Sequence, residues 1–287
     1  MSSAFVRAGD LRRELDGPNP PIVLDASFIL HRPVFDGDYR SESGRRIWLA
    51  GHVPGSHHVD ISTRFSDASR AQHFAHPDPR SIARELAVLG VAQRTPVVVY
   101  DASGTLWAAR LWYLLRWVGV DVRVLDGGLG AWRAAGFAVE EGDAPAPASV
   151  PEWRPRAVRD AWITREQLRD REASDARPLV CALASGQFTG RDTTRYSRRG
   201  RIPGSVNVPS RSLFHTDGTL RERDAIRDAY AAAGVTGDEE VLLYCGGGIS
   251  AAASALTLEE IGISAVRIYD GSLEEWSADP SLPLVTG

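Results

Sequence analysis

The feature that most restricts the fold of this 287-residue chain is a duplication. Ile22-Val23-Leu24-Asp25-Ala26 in the first half returns as Leu179-Val180-Cys181-Ala182-Leu183 in the second. His52-Val53-Pro54-Gly55-Ser56 returns as Arg201-Ile202-Pro203-Gly204-Ser205, and Val97-Val98-Val99-Tyr100 as Val241-Leu242-Leu243-Tyr244. Val122-Arg123-Val124-Leu125-Asp126-Gly127-Gly128 is matched by Val266-Arg267-Ile268-Tyr269-Asp270-Gly271-Ser272, and Trp132 by Trp276. Order is kept and only the connecting lengths drift, so the unit is a duplicated domain; solenoid repeats are shorter, about 20–50 residues. Each copy alternates short β-branched runs with longer helical patterns. That alternation predicts an α/β fold made twice over, each copy a central, mainly parallel sheet flanked by helices.

The copies divide at Gly142-Asp143-Ala144-Pro145-Ala146-Pro147-Ala148-Ser149-Val150-Pro151, whose proline and alanine content reads as an extended surface linker. The expected boundaries are residues 1–141 for the first domain, 142–157 for the linker and 158–287 for the second domain. In the first copy, Leu106 to Val118 is helical and apolar nearly all round, with Trp107, Trp112 and Trp117 among its leucines. Such a helix is expected to be buried on more than one side, although a stacking site for a ring-bearing ligand is another reading. In the second copy, Thr164 and Gln167 have the spacing of a capping box.

Composition narrows the chemistry. All 33 basic residues are arginine, which rules out a lysine Schiff base or a Walker-type phosphate loop. A net charge of −4 gives no electrostatic case for nucleic acid or an acidic membrane, so neither is an expected partner. No apolar run approaches the roughly 20 residues of a membrane span, and Met1 to Arg7 lacks the order of a secretory signal. Cys181 and Cys245 are the only cysteines, so neither a disulfide framework nor a cysteine-rich zinc site is expected. A reduced, cytoplasmic protein without metal or cofactor is the expectation.

Against that background Val241-Leu242-Leu243-Tyr244-Cys245-Gly246-Gly247-Gly248-Ile249-Ser250-Ala251 stands out. A strand-type run ends at a cysteine, three glycines follow, and an alanine-rich helical pattern begins. A strand feeding a tight loop feeding a helix gathers backbone N–H groups around the residue that heads the loop, and these stabilise an anion. Cys245 is therefore expected to act as a thiolate nucleophile. A cysteine protease would need a histidine base and an oxyanion hole set for a carbonyl. A cysteine phosphatase would need an arginine six residues on to clamp phosphoryl oxygens, and that place holds Ala251. A thiolate cradled by the amides of Gly246, Gly247, Gly248, Ile249, Ser250 and Ala251 suits the capture of one soft atom, sulfur, as a persulfide.

The loop resembles that of the rhodanese sulfurtransferases, in which a cysteine heads a six-residue loop. Ile202-Pro203-Gly204-Ser205-Val206-Asn207-Val208-Pro209, Leu125-Asp126-Gly127-Gly128 and Tyr269-Asp270-Gly271-Ser272 extend the resemblance along the chain, in the order seen in two-domain thiosulfate and 3-mercaptopyruvate sulfurtransferases. It implies two tandem rhodanese-like domains, the second catalytic and the first without its cysteine; Asp101 heads the corresponding loop there, and its action as a nucleophile is the other reading. The implied activity moves a sulfane sulfur from a small anionic donor to a thiol or cyanide acceptor through a Cys245 persulfide. The non-enzymatic alternative is a low-turnover sulfur-binding or sensing module that hands its persulfide to a protein partner.

Departures from the family bear on the donor. The serine that mercaptopyruvate enzymes carry two residues after the cysteine is Gly247 here. Their first-domain histidine matches His73, and their aspartate place falls near Ser62, with Asp60 beside it. Where an arginine commonly holds the donor, this chain has Gln187. Arg191, Arg195, Arg198, Arg199, Arg201 and Arg211 could compensate by drawing in an anion, with Arg191 nearest the family's substrate-binding segment. Cys181 reads either as a resolving partner for Cys245 or as a buried core thiol.

Overall fold

In the computed structural model, described over residues 3–155, 160–172 and 174–287, the chain builds two parallel sheets in tandem, besides a small antiparallel pair, Phe28–Leu30 with Ser41–Ser43. The first has five parallel strands in the order Phe5–Val6, Val122–Leu125, Val97–Tyr100, Ile22–Asp25, His57–His58. The second has four in the matching order, Val266–Ile268, Val241–Tyr244, Leu179–Cys181, Ser205–Asn207. A parallel bridge from Trp162 to Ile268 takes the place that Phe5–Val6 holds in the first sheet. The central strands Val97–Tyr100 and Val241–Tyr244 are buried along their whole length, which is why they read as unbroken apolar runs rather than as alternation.

Register refines the repeat. Asp25 lies opposite Tyr100, and Cys181 lies opposite Tyr244. The structural counterpart of Cys181 is thus Asp25 and not Leu24, one place from the sequence-based match, because strand pairing fixes side-chain facing and local similarity does not. The repeated turns are explained at the same time. Tyr100 Oη accepts from Val53 N–H (3.2 Å) and meets Ser56 Oγ (2.9 Å). Tyr244 Oη accepts from Ile202 N–H (3.1 Å) and meets Ser205 Oγ (2.8 Å). A buried phenol needs such partners, and each Pro-Gly turn supplies them from a glycine in the left-handed region, Gly55 at φ 71° and Gly204 at φ 73°.

The two halves meet along the helices Leu106–Trp117 and Ile249–Glu260, which pack on one another. In the first, every residue but Arg116 is buried, so the tryptophans are core and the ring-stacking site is not formed there. The facing helix is lined with Ala251, Ala252, Ala253 and Ala255, all buried. Bulky side chains on one helix face methyl groups on the other, which lets the two helices pack closely. The capping box at Thr164 is present, with Gln167 N–H donating to Thr164 Oγ1 and Thr164 N–H to Gln167 Oε1. Up to residue 155 the linker runs over the first domain, Val150 N–H donating to Ala87 C=O and Trp153 Nε1–H to Val91 C=O. Residues 156–159, with the end of the expected linker and the expected start of the second domain, lie outside the described residues. No helix among the described residues is long and apolar enough to cross a membrane.

Duplication leaves one electrostatic oddity in the first core. Asp25 is fully buried; its Oδ1 accepts from Ser27 N–H (2.7 Å), while Oδ2 finds no hydrogen-bond partner. Burial pushes its pKa up to about 6. Since the folded state binds this proton more tightly than the unfolded chain, the stabilisation is complete below the carboxyl's ordinary range and is lost as pH rises through that value. Above it the buried charge costs up to about 3 kcal/mol. Asp25→Asn should therefore raise the unfolding temperature at about pH 8 and lose that advantage by about pH 4, as measured by calorimetry at the two pH values.

Candidate active site

Cys245 stands at the end of the central strand of the second sheet and is 2% exposed. Its loop is pinned from outside by the helix Ser272–Ala278. Ser272 Oγ accepts from Cys245 N–H (3.0 Å), Leu273 N–H donates to Cys245 C=O (3.1 Å), and Glu274 N–H donates to Gly246 C=O (2.9 Å). The following helix makes its first backbone bond from Ala252 N–H to Gly248 C=O, so the amides of Ile249, Ser250 and Ala251 have no partner within the helix.

Each glycine has a separate cause. A β-carbon on Gly246 would collide with Tyr196 Oη, at 1.5 Å. One on Gly247 would approach Glu274 Oε2 to 3.3 Å. Gly248 has φ 77°, and a β-carbon there would stand 2.7 Å from both Arg110 Nη1 and Asp270 Oδ1. Arg110, fully buried on the first domain's central helix, bonds Asp270 Oδ1 (2.7 Å) and Phe74 C=O (2.6 Å) and lies over the Trp162 ring (5.4 Å). A first-domain cation thus sits directly behind the second-domain loop. The sequence singled out the glycines but gave no sign of Arg110, whose partners come from three distant segments.

The first-domain loop shows what such a cradle holds. Asp101 Oδ1 accepts from Ser103 N–H (2.7 Å) and Thr105 N–H (3.1 Å), and Oδ2 from Trp107 N–H (3.0 Å) and Ala108 N–H (2.9 Å). Four amides around one carboxylate leave Asp101 spent as an internal anion, without a free oxygen for nucleophilic attack. This loop is one residue longer than its counterpart: Thr105 precedes the helix where Gly248 does in the second domain.

The two residues expected from the first domain are placed differently. His73 reaches the loop, but its partner is Glu274: Nδ1 bonds Oε1, and the His73 N–H donates to both carboxylate oxygens (3.2 Å each). The backbone turns through a left-handed Phe74, φ 59°, to bring this about, and Tyr39 stacks on the imidazole at 3.8 Å. A buried residue held in that region is strained, and such strain collects at functional sites. The Glu274 pKa is raised, chiefly by burial, and the bonds and charge of His73 offset only part of that rise. Asp60 instead caps the helix Ile61–Arg64, accepting from Ser62 N–H and Oγ–H. Tyr196 borders Gly246, and burial raises the phenol pKa values of both Tyr39 and Tyr196. Neither tyrosine was singled out in the sequence, since nothing local distinguishes it from a core aromatic.

The arginines expected to gather at the mouth are mostly occupied elsewhere. Arg195 donates to His31 C=O, Arg198 to the carbonyls of Trp276, Ser277, Asp279 and Leu282, and Arg199 pairs with Asp36. Arg201 donates to Gly287 C=O and covers the Phe188 ring. Arg191 is exposed, its Nε donating to Thr189 Oγ1 (3.2 Å), and Gln187 lies on the short helix Ser185–Phe188 nearby. Both cysteines are free, and burial pushes the Cys181 thiol up to about 12, which suits a core residue. Among the described residues, no three His, Cys, Asp or Glu side chains converge as ligands of a metal ion.

Comparison with known proteins agrees with this geometry. The rhodanese-like domain matches residues 8–135 and 190–279. The chain is similar to the 3-mercaptopyruvate sulfurtransferase of Escherichia coli (strain K12), at 33% identity over 98% of this chain and 97% of that protein. It is similar to the 3-mercaptopyruvate sulfurtransferase of Homo sapiens at 32% identity, over 96% and 92%. Among solved structures, the anaerobic ergothioneine biosynthesis enzyme from Chlorobium limicola, in complex with trimethyl histidine, superposes with a TM-score of 0.84 at 25% identity, covering 99% of this chain and 70% of that one.

The glycine geometry can be tested against an internal control. Gly55 and Gly248 share the left-handed backbone, but a β-carbon on Gly55 meets nothing within 4 Å. Gly55→Ala should cost only the backbone term, about 1–2 kcal/mol. Gly248→Ala should cost clearly more, read as a larger drop in the urea midpoint at constant m-value.

Proposed function

The chain belongs to the rhodanese family, and on that footing we propose that it is a two-domain sulfurtransferase that carries sulfur on Cys245. The Cys245 thiolate attacks the sulfane sulfur of a small anionic donor, thiosulfate or 3-mercaptopyruvate, and releases sulfite or pyruvate. The resulting persulfide passes its outer sulfur to a thiol or to cyanide, a ping-pong cycle that needs no cofactor. Residues 1–141 form the non-catalytic domain in this reading, 142–157 the linker and 158–287 the catalytic domain. Two unpaired thiols suit a reduced, cytoplasmic setting.

The observation that carries the reading is Asp101. Its carboxylate oxygens stand two bonds from the β-carbon, and four backbone amides hold them. The outer sulfur of a cysteine persulfide also stands two bonds from its β-carbon. On Cys245 that sulfur would lie among the amides of Gly247, Gly248, Ser250 and Ala251, with its negative charge at a helix start. Burial of Cys245 keeps water and bulky thiols from the persulfide, and Tyr196 Oη closes the side toward Gly246. Arg191 and Gln187, on the segment leading to Tyr196, are the residues of the expected donor-binding region that remain free to meet an incoming anion.

Incubation of the purified protein with each donor in turn, followed by intact-mass measurement, should show a gain of one sulfur on Cys245 and its removal by cyanide or a thiol. Cys245→Ser should show no gain with either donor. A sulfur gain in that variant would overturn the assignment.

A further inference from the structure

We propose, building on the reading of Cys245 as sulfur carrier, that Glu274 decides which donor the site prefers. By positioning His73 to move a proton, it favours an α-keto thiol such as 3-mercaptopyruvate over thiosulfate.

The placement of Glu274 is tight. Its backbone N–H and that of Leu273 bond the carbonyls of Gly246 and Cys245, so the helix start moves with the loop. The side chain is only 15% exposed and takes the space that a residue larger than glycine at 247 would fill. Its carboxylate holds both the backbone and the ring of His73, whose side chain is 50% exposed, and Tyr39 fixes the ring plane at 7° from its own. With Nδ1 engaged by Glu274, Nε2 is the nitrogen left to serve the mouth.

Asp270 and Arg110 neutralise one another beneath the loop, and Tyr39 and Tyr196 are phenols kept protonated by burial. Arg195 donates to His31 C=O and keeps its positive charge, and Arg191 is exposed. Glu274, shared with His73, is the carboxylate held against the loop.

The two donors make different demands. When the Cys245 thiolate attacks thiosulfate, an S–S bond forms, the donor's S–S bond breaks and its electron pair leaves on sulfite. No proton moves, and a dianion must approach a carboxylate. When it attacks 3-mercaptopyruvate, an S–S bond forms and the C–S bond breaks, leaving its pair on the enolate of pyruvate. The proton of the donor thiol must then pass from the new persulfide to the enolate carbon. His73 is placed to accept and return that proton, and Glu274 stabilises the imidazolium in between. Glu274 is thus a positioning residue that helps one donor and hinders the other.

Steady-state kinetics of the full-length protein with both donors and cyanide as common acceptor would test this in wild type, Glu274→Gln, Glu274→Asp and His73→Gln. Glu274→Gln keeps an acceptor for the His73 N–H but removes the charge. It should lower kcat for 3-mercaptopyruvate by about a hundredfold with little change in KM. For thiosulfate it should lower KM by roughly threefold or more. Glu274→Asp should recover part of the 3-mercaptopyruvate turnover, and His73→Gln should lose it without gaining thiosulfate affinity. A parallel fall for both donors, or an unchanged donor ratio, would overturn the role of Glu274 while leaving the sulfur-carrier reading in place. A wild type that neither donor loads would remove that reading, and this inference with it.

Discussion

The buried ion pair between Arg110 and Asp270 is the contact on which the site depends most. It joins the central helix of one domain to the turn that supports the Cys245 loop of the other, with the guanidinium buried and the carboxylate 13% exposed. Removal of one member of a buried pair costs about 3–5 kcal/mol, because the other is left charged and unpaired. The same guanidinium holds Phe74 C=O, so one side chain fixes both the back of the loop and the first-domain segment that carries His73. The Nη1 contact also explains why position 248 admits no side chain.

Around that contact the halves cover one another reciprocally. His76 N–H of the first domain donates to Asp270 Oδ2 beside the second loop (2.7 Å). Leu220 N–H of the second donates to Asp126 Oδ1 beside the first (2.8 Å), and Thr105 Oγ1 donates to Gly218 C=O. Asp126 and Asp270 are equivalent members of the repeat, so one kind of contact recurs beside both loops. What differs is the head of each loop. A carboxylate fills one cradle with its own oxygens, while a thiol heads the other.

Much of this was legible in the sequence, and the illegible part has a common cause. The repeat, the parallel sheets, the capped helix at Thr164 and the place of the glycine loop between strand and helix all rest on local pattern, which a single strand or turn carries by itself. Register was misread by one place at Cys181, since short apolar runs look alike in either frame. Arg110 was hidden inside a helix that reads as core throughout. The arginine-rich stretch 191–211 shows its charge in the sequence but not its partners, because sequence counts guanidinium groups and does not show the carbonyls of residues 276–282 that engage Arg198. His73 was visible only through family resemblance. Glu274, its actual partner, lies 201 residues away.

The reciprocal cover has a further meaning for how such a chain could change over time. A duplicated domain is ordinarily free to drift, to be lost or to be exchanged for another, since its twin retains the activity. Here the half without the thiol cannot be dismissed in that way. It supplies the cation behind the loop, the imidazole in front of it and the helix on which the alanine face of Ile249–Glu260 is packed. With Asp101 filling the first cradle, that half is no spare copy of the second but a wall around its loop.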